Sequence, residues 1–270
     1  MKKEERMASF HDDCFNSIIN KTGIKEVGPH LYYFDNSYSE PIAAYFKGMG
    51  FESKELEFKN GSPFLPICSL TSSGRLCFLY FISKQNGYKH LFEQSYPILK
   101  KNGGVLAQAH PDAVFEDIYY ECKCQEIVNG EGERMKSSYL TNAKYFEEFF
   151  NDIGKITDNG SFLEFDLSNL GIDLEGSYFS TQINVKQLLC HLLALANRHE
   201  LTGRQQTLQY IIFVPNKATL SSEIYSSLDL EINKIFDSNN NLKRFAKTNG
   251  ITFEKPIKIT IGEVENAILK

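Results

Sequence analysis

The stretch from Val105 to Ile127 constrains the fold of this chain more than any other. It is rich in β-branched and aromatic residues, and the polar pair Glu116-Asp117 interrupts it, which predicts two strands joined by a tight turn. With a two-residue turn at that pair, Phe115 faces Ile118 and Asp112 faces Glu121. The fold must therefore contain a hairpin that brings two acidic residues together.

This register separates polar from apolar side chains, because side chains alternate across a strand. The polar face holds His110, Asp112, Glu121, Lys123 and Gln125. The opposite face holds Ala113, Phe115, Ile118, Tyr120, Cys122 and Cys124, which are typical of a core. Charges within such a strand are costly unless they are paired or coordinated. A slip of one residue would turn one of the two carboxylates away.

The rest of the chain predicts helices around further strands. Predicted helices cover residues 9–20, 40–47, 75–84 (capped by Ser72 or Ser73), 88–101, 136–150, 182–199 (capped by Thr181), 218–236 and 241–249. Predicted strands cover residues 208–214 and 257–261, and residues 159–177 read as loops. This order predicts an α/β fold with a mixed central sheet flanked by helices. We expect residues 1–66 to form an N-terminal extension packed on a domain of residues 67–270.

Composition excludes several classes of protein. The 270 residues are 42% hydrophobic and 13% aromatic, too apolar for disorder, and the net charge of −5 gives no general attraction to polyanions. No apolar run is long enough to span a membrane, so we expect a soluble, cytoplasmic protein. The six cysteines lack a repeated C-x-x-C spacing, which favours reduced, buried thiols over a zinc site at Cys122 and Cys124.

Two facing carboxylates with a lysine nearby suit metal-assisted phosphodiester hydrolysis. Hard oxygen ligands bind Mg²⁺ or Mn²⁺, and a cation steadies the nucleophile or the developing charge. The tripeptide Glu121-Cys122-Lys123 follows the only Pro-Asp dipeptide of the chain, Pro111-Asp112. Glu-x-Lys also occurs at residues 52–54 and 57–59, and a structural Glu–Lys pair is the alternative interpretation.

At these residues the chain resembles the PD-(D/E)XK, or restriction-endonuclease-like, nuclease superfamily, and within it a bacterial branch. The resemblance extends to four ordered segments: residues 72–78, HPDAVFE at 110–116, YYECK at 119–123 and the helix at 187–193. It covers a little over half of the chain. The resemblance implies a restriction-endonuclease-like core, in the order αβββαβ, with an insertion between Gly130 and Thr181.

The resemblance also implies roles for individual residues. Asp112 and Glu121 would ligate the divalent metal with the backbone carbonyl of Cys122, and Lys123 would orient or deprotonate the attacking water. Secondary candidates are Gln125, Glu126 and Gln187, although strand alternation predicts that Glu126 points away from Glu121. The first core helix lacks the glutamate that many members carry, so a further ligand would come from the extension. The candidates there are Asp12, Asp13 and Glu40.

Two groups of polar residues have both an ordinary and a functional interpretation. Ser72 and Ser73 are typical helix caps, but with Arg75 they would suit a DNA phosphate at a helix N-terminus. Gln187 and His191 follow helical spacing, either as a polar stripe bonded within the fold or as support for the metal ligands.

These observations lead to a principal hypothesis and an alternative. The principal one is a Mg²⁺-dependent endonuclease that cuts DNA, in restriction or genome defence, with a homodimer supplying two sites for double-strand cleavage. The alternative is a catalytically inactive nuclease-fold module that binds DNA or protein. A non-nuclease α/β enzyme has little support, because the chain has no G-x-G-x-x-G, P-loop or G-x-S-x-G motif.

Overall fold

The computed structural model shows how these segments assemble. It describes residues 3–48, 56–58, 62–83, 91–92, 94–129, 135–146, 156–158, 160, 162–165, 183–216, 222–236 and 241–268. Helices α1 to α9 span Lys3–Ser17, Ser39–Gly48, Ser73–Ser83, Glu126–Asn129, Ser138–Asn142, Val185–Thr202, Ser222–Phe236, Asn241–Thr248 and Ile261–Ile268. Strands β1 to β12 span Ile24–Gly28, Leu31–Phe34, Leu91–Phe92, Tyr96–Leu99, Val105–Ala109, Ala113–Phe115, Ile118–Lys123, Met135–Lys136, Ile156–Asp158, Phe162–Phe165, Gln206–Val214 and Ile251–Thr260.

A five-stranded mixed sheet in the order β12-β11-β7-β6-β3 forms the centre of the fold. Strand β11 runs parallel to both of its neighbours, whereas β6 runs antiparallel to β7 and to β3. The strands β4 and β5 pair with each other in a separate antiparallel sheet. The predicted α/β class with a mixed sheet between helices is confirmed.

The predicted hairpin register is confirmed. Phe115 pairs with Ile118 and Ala113 with Tyr120, with Glu116 and Asp117 in the turn. Glu116 has a φ of 54°, in the left-handed region that glycine or asparagine usually occupies at such turns. However, the long strand predicted before the turn is divided into two strands. Of these, β5 pairs with β4, and only β6 pairs with β7.

Helices cover both faces of the strand that carries Glu121 and Lys123. On one face, the Phe81 ring of α3 lies edge-on to Tyr120 of β7, with ring centroids 4.7 Å apart. On the other face, α6 places His191 against Glu121. The predicted polar face of β7 is therefore buried, as is usual for strands in α/β folds.

The N-terminal segment shares the hydrophobic core of the rest of the chain. Phe10 and Cys14 of α1 are fully buried within it, and Tyr33 of β2 forms a β-bridge with Ser69. All six cysteines are free, and Cys190 alone among them is partly exposed. Among the helices that the structure describes, none is long and apolar enough to cross a bilayer.

Several predicted elements are confirmed with shifted ends. Helix α1 begins at Lys3 rather than residue 9, and α6 is capped by the Asn184 side chain, while Thr181 lies outside the described residues. The helices α2, α3, α7 and α8 and the strand β11 occupy their predicted positions. The last strand, β12, begins six residues earlier than predicted, and the helix α9 after it was not predicted.

Three predictions are wrong in the described residues. The helix predicted at 88–101 is replaced by β3 and β4, because Pro97 would lie in its interior and cannot donate a helical hydrogen bond. The helix predicted at 136–150 is reduced to α5, and its last four residues lie outside the described part. The loop region predicted at 159–177 contains β10, which pairs with β8 and β9.

Arg75 ties the first core helix to the end of the chain. Its side chain is 0% exposed, and its guanidinium donates to the Glu265 carboxylate of α9 and to the carbonyls of Ser69 and Leu70 at 3.1 and 2.7 Å. A guanidinium with three acceptors in the core is a structural group.

We predict that Glu265→Gln destabilises the protein by about 3–5 kcal/mol, because it leaves the buried Arg75 charge without a counter-ion. The change in the free energy of unfolding is measured by urea denaturation. The matched control is Glu200→Gln, which alters the half-exposed pair of Glu200 with Lys144 and should have a much smaller effect. Equal stability of the two variants would contradict the structural role of Arg75.

Candidate functional site

The hairpin brings Asp112 and Glu121 side by side. Asp112 directly precedes β6, one position beyond the last paired residues Ala113 and Tyr120, and Glu121 follows Tyr120 in β7. The Asp112 Oδ2 accepts a hydrogen bond of 2.6 Å from the backbone N–H of Cys122. This bond fixes the carboxyl group next to the strand that carries the rest of the motif.

The Asp112 carboxyl group lies in an unfavourable electrostatic environment. Burial and the negative charge of Glu121 raise its pKa well above the usual range, and the opposing effects of Lys123 and the Cys122 N–H are smaller. The residue as a whole is partly accessible to solvent. Asp112 is therefore an acidic group that lacks a sufficient counter-charge in the protein itself.

Glu121, in contrast, is both deeply buried and fully engaged. It is 1% exposed, and its Oε1 lies 2.7 Å from the Lys123 Nζ while its Oε2 lies 2.8 Å from the His191 Nε2. Burial alone would raise the pKa of Glu121, but the charges of Lys123 and His191 and their hydrogen bonds lower it below its usual value. The Glu121 carboxylate is thus held ionised.

Lys123 is held between an acid and an amide. Its side chain is 9% exposed, and its Nζ also donates to the Gln187 Oε1 at 2.6 Å. Burial lowers the pKa of Lys123, but the charges of Glu121, Glu126 and Asp112 outweigh it and raise the pKa above the ordinary lysine value. A protonated Lys123 suits the orienting role better than the role of a base.

Helix α6 supplies two of these partners from one face. The Asn184 side chain caps the helix by accepting from the Gln187 N–H at 3.0 Å, and His191 lies one turn beyond Gln187. The predicted polar stripe is thus present where α6 crosses β7. Gln187 and His191 contact Lys123 and Glu121, so both interpretations of the stripe, bonding within the fold and support for the acidic site, describe the same contacts.

The two candidates after the lysine occupy different places. Strand β7 ends at Lys123, so the alternation argument against Glu126 does not apply. Glu126 begins α4, accepts from the Cys124 N–H at 2.8 Å and from the Ser73 hydroxyl at 3.3 Å, and its charge acts on Lys123 and Asp112. Gln125 accepts a hydrogen bond of 3.1 Å from Thr71 instead.

Negatively charged groups outnumber the lysine in this cluster. The carboxylates of Asp112, Glu121 and Glu126 act on one lysine, an excess of negative charge carried by hard oxygen atoms. Among the described residues, no group of three or more His, Cys, Asp and Glu side chains has an arrangement that could hold a metal ion. The ligands that the resemblance implies are two such side chains, Asp112 and Glu121, together with the backbone carbonyl of Cys122.

The residues proposed to contact a DNA phosphate are engaged by other residues of the chain. Ser72 is a helix cap whose hydroxyl accepts from the Arg75 N–H at 3.1 Å, and Ser73 donates to Glu126. Arg75 is buried against Glu265, so the suggestion that it contacts DNA is wrong for this structure. In the extension, the Asp12 carboxylate accepts from Tyr32 at 2.6 Å and lies 2.8 Å from the His30 Nδ1, so both of these partners belong to the extension itself. Nothing in the structure assigns a ligand role to Asp13 or Glu40.

Tyr210 is a neighbour of the site that sequence reasoning missed. It pairs with Glu121 across the parallel strands β11 and β7, and burial together with the charges of Glu121 and Asp112 raises its pKa well above the usual range. Its hydroxyl is buried without a hydrogen-bond partner among the described residues. The sequence does not distinguish it, because it lies in the apolar run at residues 208–214, where a tyrosine is typical of a core.

Comparisons of the chain with protein-family models, with curated proteins and with solved structures found no match.

We predict that Asp112→Asn makes the cation-free protein more stable at pH 8. The pKa of Asp112 is higher in the folded than in the unfolded protein, so its carboxyl group increasingly disfavours folding as the pH rises from the unfolded-state pKa towards the folded-state pKa. Asparagine removes this penalty and can still accept the hydrogen bond from the Cys122 N–H. The measurement is urea unfolding in EDTA at pH 4 and pH 8, with a gain that grows with pH.

The matched control is Asp117→Asn, which changes a carboxylate of the hairpin turn that lies 3.9 Å from the Arg204 guanidinium. This variant should show no gain at pH 8. A stability of Asp112→Asn below that of the wild type at pH 8 would show that the Asp112 carboxylate is already compensated.

Proposed function

We propose that this chain is a divalent-metal-dependent endonuclease of the PD-(D/E)XK type that hydrolyses DNA phosphodiester bonds, in restriction or defence. The observation that carries the proposal is that the hairpin holds Asp112 against the strand that carries Glu121, where the Glu121 charge acts on it and the acidic groups outnumber the lysine. Mg²⁺ or Mn²⁺ would be the metal, since the donors are carboxylate and carbonyl oxygens. Double-strand cleavage would need two such sites, which a homodimer supplies.

The order of the elements also supports the proposal. Around the motif the chain contains helix α3, strands β3, β6 and β7, with β6 antiparallel to both of the others, then helix α6, and strand β11 parallel to β7. The αβββαβ order that the resemblance implies is obtained when β4 and β5, and the elements from α4 to β10, are treated as insertions. The motif would then lie at the hairpin of the second and third core strands.

The roles of the residues follow from their contacts. Asp112 and Glu121 would bind the metal, which supplies a Lewis acid that polarises the phosphodiester and lowers the pKa of water. Lys123, fixed by Glu121 and Gln187, would donate to the attacking water or to the charge that develops on the phosphate. His191 holds the second oxygen of Glu121 and thereby its orientation.

One observation favours the alternative of a catalytically inactive nuclease-fold module that binds DNA or protein. Both oxygens of Glu121 have partners within the protein, Lys123 and His191. A network satisfied in this way could persist in a fold that has lost catalysis. The two functions differ in whether the chain binds a divalent cation at Asp112.

We expect the purified protein to nick plasmid DNA with Mg²⁺ or Mn²⁺, and Lys123→Met to lower the rate roughly 10²–10³-fold, as for loss of one positioned donor. Asp112→Ala should reduce nicking to background. The control is Lys144→Met, which removes a partly exposed lysine paired with Glu200 and should keep wild-type activity. Equal nicking by all four proteins would assign the activity to a contaminant and remove the mechanism.

Calorimetry with Mn²⁺ separates the enzyme from the inactive module. The wild type should bind the ion with millimolar or tighter affinity, and Asp112→Asn should bind roughly tenfold or more weakly, since it loses a charged ligand. The inactive module predicts no binding by either protein.

A further inference from the structure

Tyr210 lies on the sheet face that carries the acidic site. It occupies β11 directly opposite Glu121 of β7, and residues opposed in this way project to the same face. Its ring packs edge-on against Phe236 of α7, with centroids 5.9 Å apart, so its apolar body is held by the core. The charges of Glu121 and Asp112 act on it.

The hydroxyl of Tyr210 is the unusual part. It is fully buried and has no hydrogen-bond partner in the part of the chain that the structure describes. Buried tyrosine hydroxyls normally have a partner, and leaving one unpaired destabilises the protein. Phenylalanine would fill the same space without that cost, so the core itself gains nothing from the oxygen atom.

The neighbouring tyrosine on the same face behaves in the ordinary way. Tyr119 lies two residues before Glu121 in β7 and is equally buried. Its hydroxyl donates to the Gln206 Oε1 at 2.8 Å. An unpaired hydroxyl is therefore not a general property of tyrosines in this layer, but a feature of the position beside the acidic site.

We propose that Tyr210 is a positioning residue of the acidic site, whose hydroxyl donates a hydrogen bond to the Glu121 carboxylate when a divalent cation is bound. In the structure, Lys123 and His191 each engage one oxygen of the Glu121 carboxylate. A cation that competes with Lys123 for the carboxylate releases the lone pair that accepts from the Lys123 Nζ, and this lone pair can then accept from the Tyr210 hydroxyl. The hydroxyl then gains an acceptor that it lacks in the free state, which favours cation binding.

This inference rests on the proposed metal site, and its test compares Tyr210→Phe with the wild type. Two quantities are measured: the Mn²⁺ affinity by calorimetry, and the unfolding temperature of each protein in EDTA. We expect Tyr210→Phe to bind Mn²⁺ about tenfold more weakly, in the range found for groups that support metal ligands. In EDTA it should unfold at the wild-type temperature or above, because the unpaired hydroxyl is gone.

Tyr119→Phe is the matched control, since it removes the hydroxyl that donates to Gln206. It should lower the unfolding temperature in EDTA and leave the Mn²⁺ affinity unchanged, the reverse of the Tyr210→Phe pattern. Equal Mn²⁺ affinity of the wild type and Tyr210→Phe would overturn the role of Tyr210 while leaving the metal site in place. A lower unfolding temperature of Tyr210→Phe in EDTA would also overturn it, by showing that the hydroxyl is already bonded. A wild type that binds no Mn²⁺ would overturn the proposed function and this inference together.

Discussion

The buried carboxylate of Glu121 determines how the elements around it must be arranged. An ionised carboxylate removed from water is very costly unless charged and hydrogen-bonded partners surround it. Glu121 has two, Lys123 on its own strand and His191 on α6, and Gln187 in turn holds Lys123. Helix α6 must therefore lie across β7 with this face towards the sheet, which fixes one of the two helical layers of the fold.

The Asp112 carboxyl group, in contrast, is not compensated in this way. Lys123 forms its ion pair with the neighbouring Glu121 instead. The N–H of Cys122 is the one hydrogen-bond partner of the Asp112 carboxyl group in the described residues. Natural proteins retain such unfavourable groups where function requires them, and pay for them with packing elsewhere. A paired acid beside an uncompensated acid is consistent with a site for a divalent cation, and it connects the energetics of the fold to the proposed hydrolysis.

The sequence predicted the hairpin and its register because alternation and a short turn leave few other arrangements of Asp112 and Glu121. It predicted the long helix α6 and its polar residues because their helical periodicity is strong. It failed where distant contacts decide the outcome: Arg75 is buried by Glu265, nearly two hundred residues away, and Tyr210 is distinguished only by its pairing with Glu121. Strand alternation does not apply to Glu126, because β7 ends at Lys123, an end that the residue pattern does not indicate.

The most direct test of the central claim is a crystal structure of the protein grown with Mn²⁺, with the ion located by its anomalous scattering. We expect a peak coordinated by the carboxylates of Asp112 and Glu121. A structure without a peak there, in which Glu121 keeps its contacts with Lys123 and His191 at saturating Mn²⁺, would contradict it.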